Sequence, residues 1–262
     1  PSRPFDATLE DSRPQNVSPN TGHDVSSMQL IPGGPFQMGS DRPEAWTADG
    51  EGPVRTISIA PFKIDLLAVT NLRFARFVDD TGYATESERF GWSFVFQLHI
   101  PKKKREELRK TRAVEGLDWW LAMPGADWIH PRGPESEITN ELEDHPVVHI
   151  SWNDAQAFCK WSGKRLPTEA EWECACRGGL EQKLYPWGNA YRKKNQPRCN
   201  IFEGEFPKKY NIRDPNRGTC QADAYEPNGF GLYNCVGNVW EWCLDWFSSD
   251  YHIKRPDIVD NP

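Results

Sequence analysis

The chain has 262 residues and a formal net charge of −7, from 31 Lys and Arg against 38 Asp and Glu. That acidic balance argues against a general nucleic-acid binder, and no stretch nears the roughly 18–20 apolar residues of a membrane span. Although only 37% of residues are apolar, 12 Trp, 13 Phe and 7 Tyr supply core material, while 20 Gly and 22 Pro without a period predict long, shaped loops.

Residues 1–27, rich in Pro, Ser, Asn and Asp, read as a flexible arm. Order is expected from Met28-Gln29-Leu30-Ile31, a short apolar run ended by Pro32-Gly33-Gly34. Val54 to Ile64, with Ile57 and Ile59 alternating, predicts a second strand. Three helices are announced by their caps. Thr70 precedes a run with Leu72, Phe74, Phe77 and Val78 on one face, and Gly82 follows it. Ser151 with Asp154 opens a helix that Gly163 stops. Thr168 with Glu171 forms a capping box, and Gly178-Gly179 ends that helix.

Residues 102–112 carry seven positive and two negative charges and read as a solvated helix in a surface insertion. From Leu180 to Tyr233, periodicity gives way to Gly, Pro and Asn, which predicts ordered loop held by aromatics. With no repeat and no linker after residue 27, the chain reads as one α+β domain over 28–262, poor in regular structure.

His145 and His149 are joined by Pro146-Val147-Val148, an extended stretch. At roughly 3.3 Å per residue it separates the rings by about 13 Å, too far for one metal ion. Cys174 and Cys176 sit near a helix end, where residues two apart face different sides and do not share a metal. The seven cysteines all lie from Cys159 onward, and an odd number leaves one without an intrachain partner in an oxidising compartment. Asn234-Cys235-Val236-Gly237-Asn238-Val239-Trp240-Glu241 combines a carboxylate, two amides and a glycine turn. Hard cations such as Ca²⁺ take such oxygens, and a tight turn whose Asn side chains cap backbone groups is the alternative.

These segments together resemble the formylglycine-generating enzyme (sulfatase-modifying factor) family. The resemblance is carried by Gly33-Gly34-Pro35-Phe36-Gln37-Met38-Gly39, Val69-Thr70-Asn71, and Phe90-Gly91-Trp92-Ser93-Phe94-Val95-Phe96. His145 to Ala155 continues it, and Gly163-Lys164-Arg165-Leu166-Pro167-Thr168-Glu169-Ala170-Glu171-Trp172 is its strongest part. Pro186-Trp187-Gly188-Asn189 and Gly229 to Trp242 complete it.

The resemblance implies a C-type-lectin-like α+β fold and an oxidase that uses O₂ and copper. Its implied substrate is an unfolded sulfatase, whose Cys-x-Pro-x-Arg cysteine becomes Cα-formylglycine. It implies one calcium site at Asn200, Ile201, Asp214 and Asn216, and a second at Asn234, Cys235, Gly237, Val239 and Glu241. Trp240 matches a tryptophan lining the oxygen and substrate pocket. Cys159 and Cys176 match cysteines that pair with cysteines later in the chain. Dimerisation with a family member and the endoplasmic reticulum lumen are implied partner and address. None of the seven cysteines matches the family's copper-binding pair. The catalytic residues are therefore expected after Pro262, and the chain as given is expected to be incomplete at its C-terminus and inactive. A catalytically silent paralogue that binds sulfatases or an active partner is the alternative.

Overall fold

The computed structural model describes residues 28–110, 112–194, 196–211, 217–251 and 259–260. The expected arm over residues 1–27 lies outside the described residues. The first strands are β1 (Met28–Ile31), β2 (Gly34–Met38), β3 (Arg55–Ile59) and β4 (Phe62–Asp65). The single strand expected over Val54–Ile64 is thus two, divided at Ala60-Pro61. Proline has no N–H for a ladder, and the halves part company there: β3 pairs antiparallel with β2, and β4 with β1.

Helix α1 (Asn71–Thr81) starts where its cap predicts, with Thr70 accepting from the Arg73 N–H. It ends at Gly82, whose φ of 65° is the left-handed turn that glycine adopts without a Cβ penalty. A short helix that the sequence reading missed, α2 (Glu86–Phe90), carries a capping box between Thr85 and Glu88. It leads into β5 (Trp92–Phe96), and α3 (Lys102–Arg109) follows as the expected charged helix, burying only Leu108. Strands β6 (Ala113–Val114) and β7 (Leu117–Pro124) complete a third sheet in which β7 lies between β5 and β6.

Helices α4 (Trp152–Trp161) and α5 (Glu169–Arg177) both open on full capping boxes, Ser151 with Asp154 and Thr168 with Glu171. Beyond them lie two short hairpins, β8 (Arg192–Lys193) with β9 (Gln196–Pro197) and β10 (Gly204–Glu205) with β11 (Lys209–Tyr210). Strand β12 (Val259–Asp260) adds parallel to β3. The rest of the C-terminal third has little regular structure, as its Gly, Pro and Asn content predicts.

The core is divided among the elements. Phe74 and Phe77 of α1 meet Phe158 of α4, with Tyr83 and Trp128 closing the cluster. Ring centroids 5.0–6.0 Å apart give mostly edge-to-face packing there. The fully buried Asp154 carboxylate ties this cluster to α2, accepting from Tyr83 Oη at 2.9 Å and Glu86 N at 3.0 Å. Burial pushes that carboxyl above the usual range, although its hydrogen bonds oppose the shift. Ala175 of α5, Ile31 of β1 and Leu232 form another cluster, and Met38, Ile57 and Ala170 a further one. Helix α5 therefore serves both N-terminal sheets, and this fixes the surface over which the C-terminal loops run.

Candidate functional site: a clasped loop and an exposed indole

The segment from Asn228 to Asp245 crosses the molecule with scarcely any ladder pairing, and side chains hold it in place. Asn228 Oδ1 accepts from the Phe230 and Leu232 N–H groups, while its amide donates to the carbonyls of Ala175 and Cys176 at the end of α5. Asn234, Gly237 and Asn238 then take φ values of 50°, 79° and 62°. Three left-handed residues in so short a span turn the backbone sharply, and Asn and Gly are the types that tolerate this.

The turn brings two distant segments together. Asn238 donates its N–H to the Asn200 carbonyl at 2.7 Å and accepts from Asn200 Nδ2 at 3.1 Å. It also brackets Cys220, accepting from its N–H at 2.8 Å and donating to its carbonyl at 3.1 Å. A Cβ on Gly237 would lie 2.3 Å from the Asn200 carbonyl oxygen and 3.1 Å from Ile201 Cγ2. The two residue sets that the sequence assigned to separate cation sites therefore touch through Asn200, Ile201 and Gly237. Asp214 and Asn216 lie outside the described residues.

Fitness for a hard cation turns on the oxygens that remain. Among the described residues no three His, Cys, Asp or Glu side chains converge to hold a metal ion, so these residues would offer a cation mainly amide and backbone oxygens. Asn234 supplies one. Its amide donates to Gln221 O at 3.0 Å and Ala222 O at 2.8 Å, yet its Oδ1 is buried with no hydrogen-bond partner. A buried, unpartnered amide oxygen is costly, and a calcium ion would relieve it. Both readings of this segment thus have an atom in their favour: Asn238 caps backbone, and Asn234 Oδ1 is free for a ligand. Glu241 accepts from Trp172 Nε1 at 2.9 Å, Val239 is half-buried beside it, and the Cys235 carbonyl accepts from the Cys176 thiol at 3.5 Å.

Beyond the turn, indoles pin the chain. Trp242 Nε1 donates to Ile150 O and Trp152 Nε1 to Cys243 O, each at 2.9 Å, and Leu244 N reaches Pro167 O at 2.8 Å. Trp240 makes no such anchor. It is 92% exposed, its ring 6.2 Å from Trp120 of β7 and inclined by 54°. Phe96, Phe202 and Phe206 continue the aromatic packing on the same sheet, Phe206 meeting Trp119. Sequence reasoning missed Trp120, Trp172 and Cys220 as partners of this loop; only their pairing in space reveals them.

All seven cysteines are free thiols in the structure. Burial pushes Cys159 and Cys199 up to about 11 and Cys243 up to about 12, and raises Cys174 and Cys220 as well. The cysteines expected to pair with Cys159 and Cys176 fall past Pro262, outside the described residues. The two histidines weighed for a metal have separate partners, His145 with Thr219 and His149 with Ser93 and the Pro131 carbonyl.

The sulfatase-modifying factor enzyme 1-like domain family matches residues 13–259. A formylglycine-generating enzyme from Thermomonospora curvata is 50% identical over 251 residues, which cover 96% of this chain and 79% of that protein. The bovine (Bos taurus) formylglycine-generating enzyme is 47% identical over 246 residues, 94% of this chain and 65% of its own length. A bovine inactive C-alpha-formylglycine-generating enzyme 2 is 49% identical over 238 residues, 90% of this chain and 75% of its own. Among solved structures, PvdO from Pseudomonas aeruginosa superposes with a TM-score of 0.58 at 21% identity over 89% of this chain and 76% of its own, a likeness of fold.

Proposed function

The chain belongs to the sulfatase-modifying factor enzyme 1-like family, and from that premise we propose that it serves oxidation of the cysteine in a sulfatase Cys-x-Pro-x-Arg motif to Cα-formylglycine. The observation that carries this reading is Trp240. An indole 92% exposed yet set against Trp120 on a loop clasped at both ends is a stacking platform for an extended, unfolded peptide. The loop's fixed turn supplies orientation, since a platform held in place loses little freedom when the peptide arrives.

In this reading Trp240 and Trp120 would meet the peptide, and the Asn200–Asn238 clasp would keep the loop beneath them rigid. Calcium held by Asn234 Oδ1 and neighbouring backbone oxygens would neutralise their converging dipoles and lock the turn. The copper thiolates of the reaction are not among the described cysteines, so no oxidation step is assigned to them. The likeness to an inactive C-alpha-formylglycine-generating enzyme 2 supports a second reading, a sulfatase-binding member that regulates maturation without oxidising.

A fluorescent peptide containing Cys-Thr-Pro-Ser-Arg, titrated into the protein and its Trp240→Ala variant, tests the platform. Binding weakened about tenfold or more by the variant, roughly one lost stacking contact, is the expected result. Equal affinity for both proteins would overturn it. Incubating the same peptide with residues 1–262, copper, reductant and O₂ tests the thiols. Its cysteine should survive, and an aldehyde product would overturn the statement that these cysteines do not hold the copper.

A further inference from the structure

The chain carries a net charge of −7, yet residues 102–112 hold seven Lys and Arg against two Glu. Helix α3 turns most of them to solvent: Leu108 is its one buried side chain, and Lys102, Lys103, Arg109 and Lys110 are exposed. Lys102, Lys103 and Lys104 fill the first turn, with no acidic residue in that turn and no side-chain cap at Pro101. The helix dipole disfavours cations at that end, so these lysines do not serve the helix's own stability. Glu106 and Glu107 lie 4.0 Å from Lys102 and 3.3 Å from Lys104, solvated pairs of little worth. Among the described residues Lys103 and Lys110 make no ion pair, and the Arg105 and Arg109 guanidiniums bond to Gln97. Gln97 extends the face. It is buried and donates to Pro207 O at 2.8 Å, which sets the β10–β11 turn, with Lys208, beside Arg109. Lys208 has Glu205 at 3.0 Å, while the exposed Lys209 has no ion pair among the described residues. A line of rings joins this face to the peptide platform. Trp240, Trp120, Phe96 and Phe206 succeed one another at centroid steps of 6.2, 5.7 and 5.9 Å, and Phe206 directly precedes Pro207-Lys208-Lys209. Those steps put Phe206 no more than about 18 Å from Trp240, about six residues of extended chain.

We propose that α3 and the β10–β11 turn form a docking face for an acidic segment of the same polypeptide whose cysteine motif lies across Trp240. This deepens the peptide-platform reading and rests on it for the second anchor. An unfolded chain can bend its Asp and Glu side chains to Lys103, Lys110 and Lys209 without a fixed register. Their attraction acts over about 10 Å at 0.1 M salt, so the face draws the chain in and retains it while the motif finds the indole. Two weak anchors on one chain reinforce each other, because the second contact is intramolecular once the first is made. A short acidic segment also suits the charge distribution better than nucleic acid does. Outside this face the protein is more acidic than its net −7, and a long polyanion would run onto that surface. If the lysines only solvate the helix, acidic and neutral peptides will bind alike.

Fluorescent peptides titrated into the full chain test this. Each carries Cys-Thr-Pro-Ser-Arg and, about six to ten residues away on one side or the other, a run of Glu or a run of Gln. At about 50 mM salt at least one Glu peptide should bind about tenfold tighter than its Gln counterpart. The gap should close near about 0.5 M, where screening leaves a reach of a few ångströms. A variant combining Lys103→Gln, Lys110→Gln and Lys209→Gln should lose most of the gap and bind the Gln peptides as the parent does. Equal binding of Glu and Gln peptides by the parent, or an undiminished gap in the triple variant, would overturn the proposal. So would an oligothymidylate of matching charge that binds the parent more tightly than the Glu peptides, since the face would then belong to nucleic acid. Trp240→Ala tells the two readings apart: it should weaken Glu and Gln peptides alike and leave the gap in place. If it weakens neither while the gap persists, the platform fails and the cationic face stands. If the triple variant does not fold, the parent's gap and its salt dependence decide alone.

Discussion

Asn238 and Asn200 exchange two hydrogen bonds, backbone N–H to carbonyl at 2.7 Å in one direction and side-chain amide to side-chain oxygen at 3.1 Å in the other. They are 38 positions apart, with Gly218 also bound to Asn200 at 2.8 Å. This clasp, together with the Cys220 bonds, holds the turn from which Trp240 projects.

Removing the clasp should cost stability. Asn238→Ala deletes the side-chain bonds to Asn200 and Cys220 at a φ of 62°. A loss of about 2–3 kcal/mol in urea unfolding is expected, from unpaired partly buried groups and a left-handed alanine. Gly237→Ala should cost about 3 kcal/mol or more, since its methyl would meet the Asn200 carbonyl at 2.3 Å. A change below about 0.5 kcal/mol in either variant would show that the turn does not depend on the clasp.

Calcium should stabilise the protein through Asn234. At a hundredfold excess over its dissociation constant, a ligand adds about 2.7 kcal/mol, seen as a rise of several degrees in Tm. Chelation should reverse the rise. Asn234→Ala should abolish most of it, because the unpartnered Oδ1 is removed. If the variant responds to calcium as the parent does, the ion binds elsewhere.

The two tryptophans of the loop should separate binding from stability. Trp240→Ala, at a site 92% exposed, should shift unfolding by no more than about 0.5 kcal/mol. Trp242→Phe loses the indole bond to Ile150 and should cost about 1 kcal/mol. Urea titrations of both variants, run beside peptide binding, check the contrast. A large stability loss in Trp240→Ala would make its ring a packing element.

His99 should give the protein an acid limb near pH 4–6.5. Burial, with help from the Arg132 guanidinium, lowers its pKa from 6.5 to about 4, while its Nε2 meets Tyr210 Oη at 2.8 Å. The folded state therefore takes up its proton later than the unfolded chain. The stabilisation is complete above about pH 6.5 and falls away as pH drops toward 4, by about 3 kcal/mol in all. His99→Gln should flatten that part of the stability curve relative to the parent. An unchanged slope would mean that His99 does not titrate between the two states in this range.

Much of the fold was readable in advance because its signals are short-range. A helix start needs a hydroxyl acceptor and three following residues, and Thr70, Ser151 and Thr168 each cap as predicted. The charged helix over Lys102–Arg109 followed from its composition. Pro61 had a local signal that a strand reading across it passed over, and Thr85 with Glu88 was a capping box preceding a helix too short for a periodic face.

The sequence by itself determined the helix caps, the mixed α+β class, and the segment in which oxygens, amides and an indole would gather. Those depend on neighbours within a turn or on residue type. Tertiary structure decided that Asn200 meets Asn238, that Trp120 stands beside Trp240, and that the Cys176 thiol reaches the Cys235 carbonyl. Such contacts join chain 38, 120 and 59 positions apart through irregular loops. No periodicity records them, because a loop's path is set by which buried polar groups it must satisfy, and their partners exist only once the helices have packed.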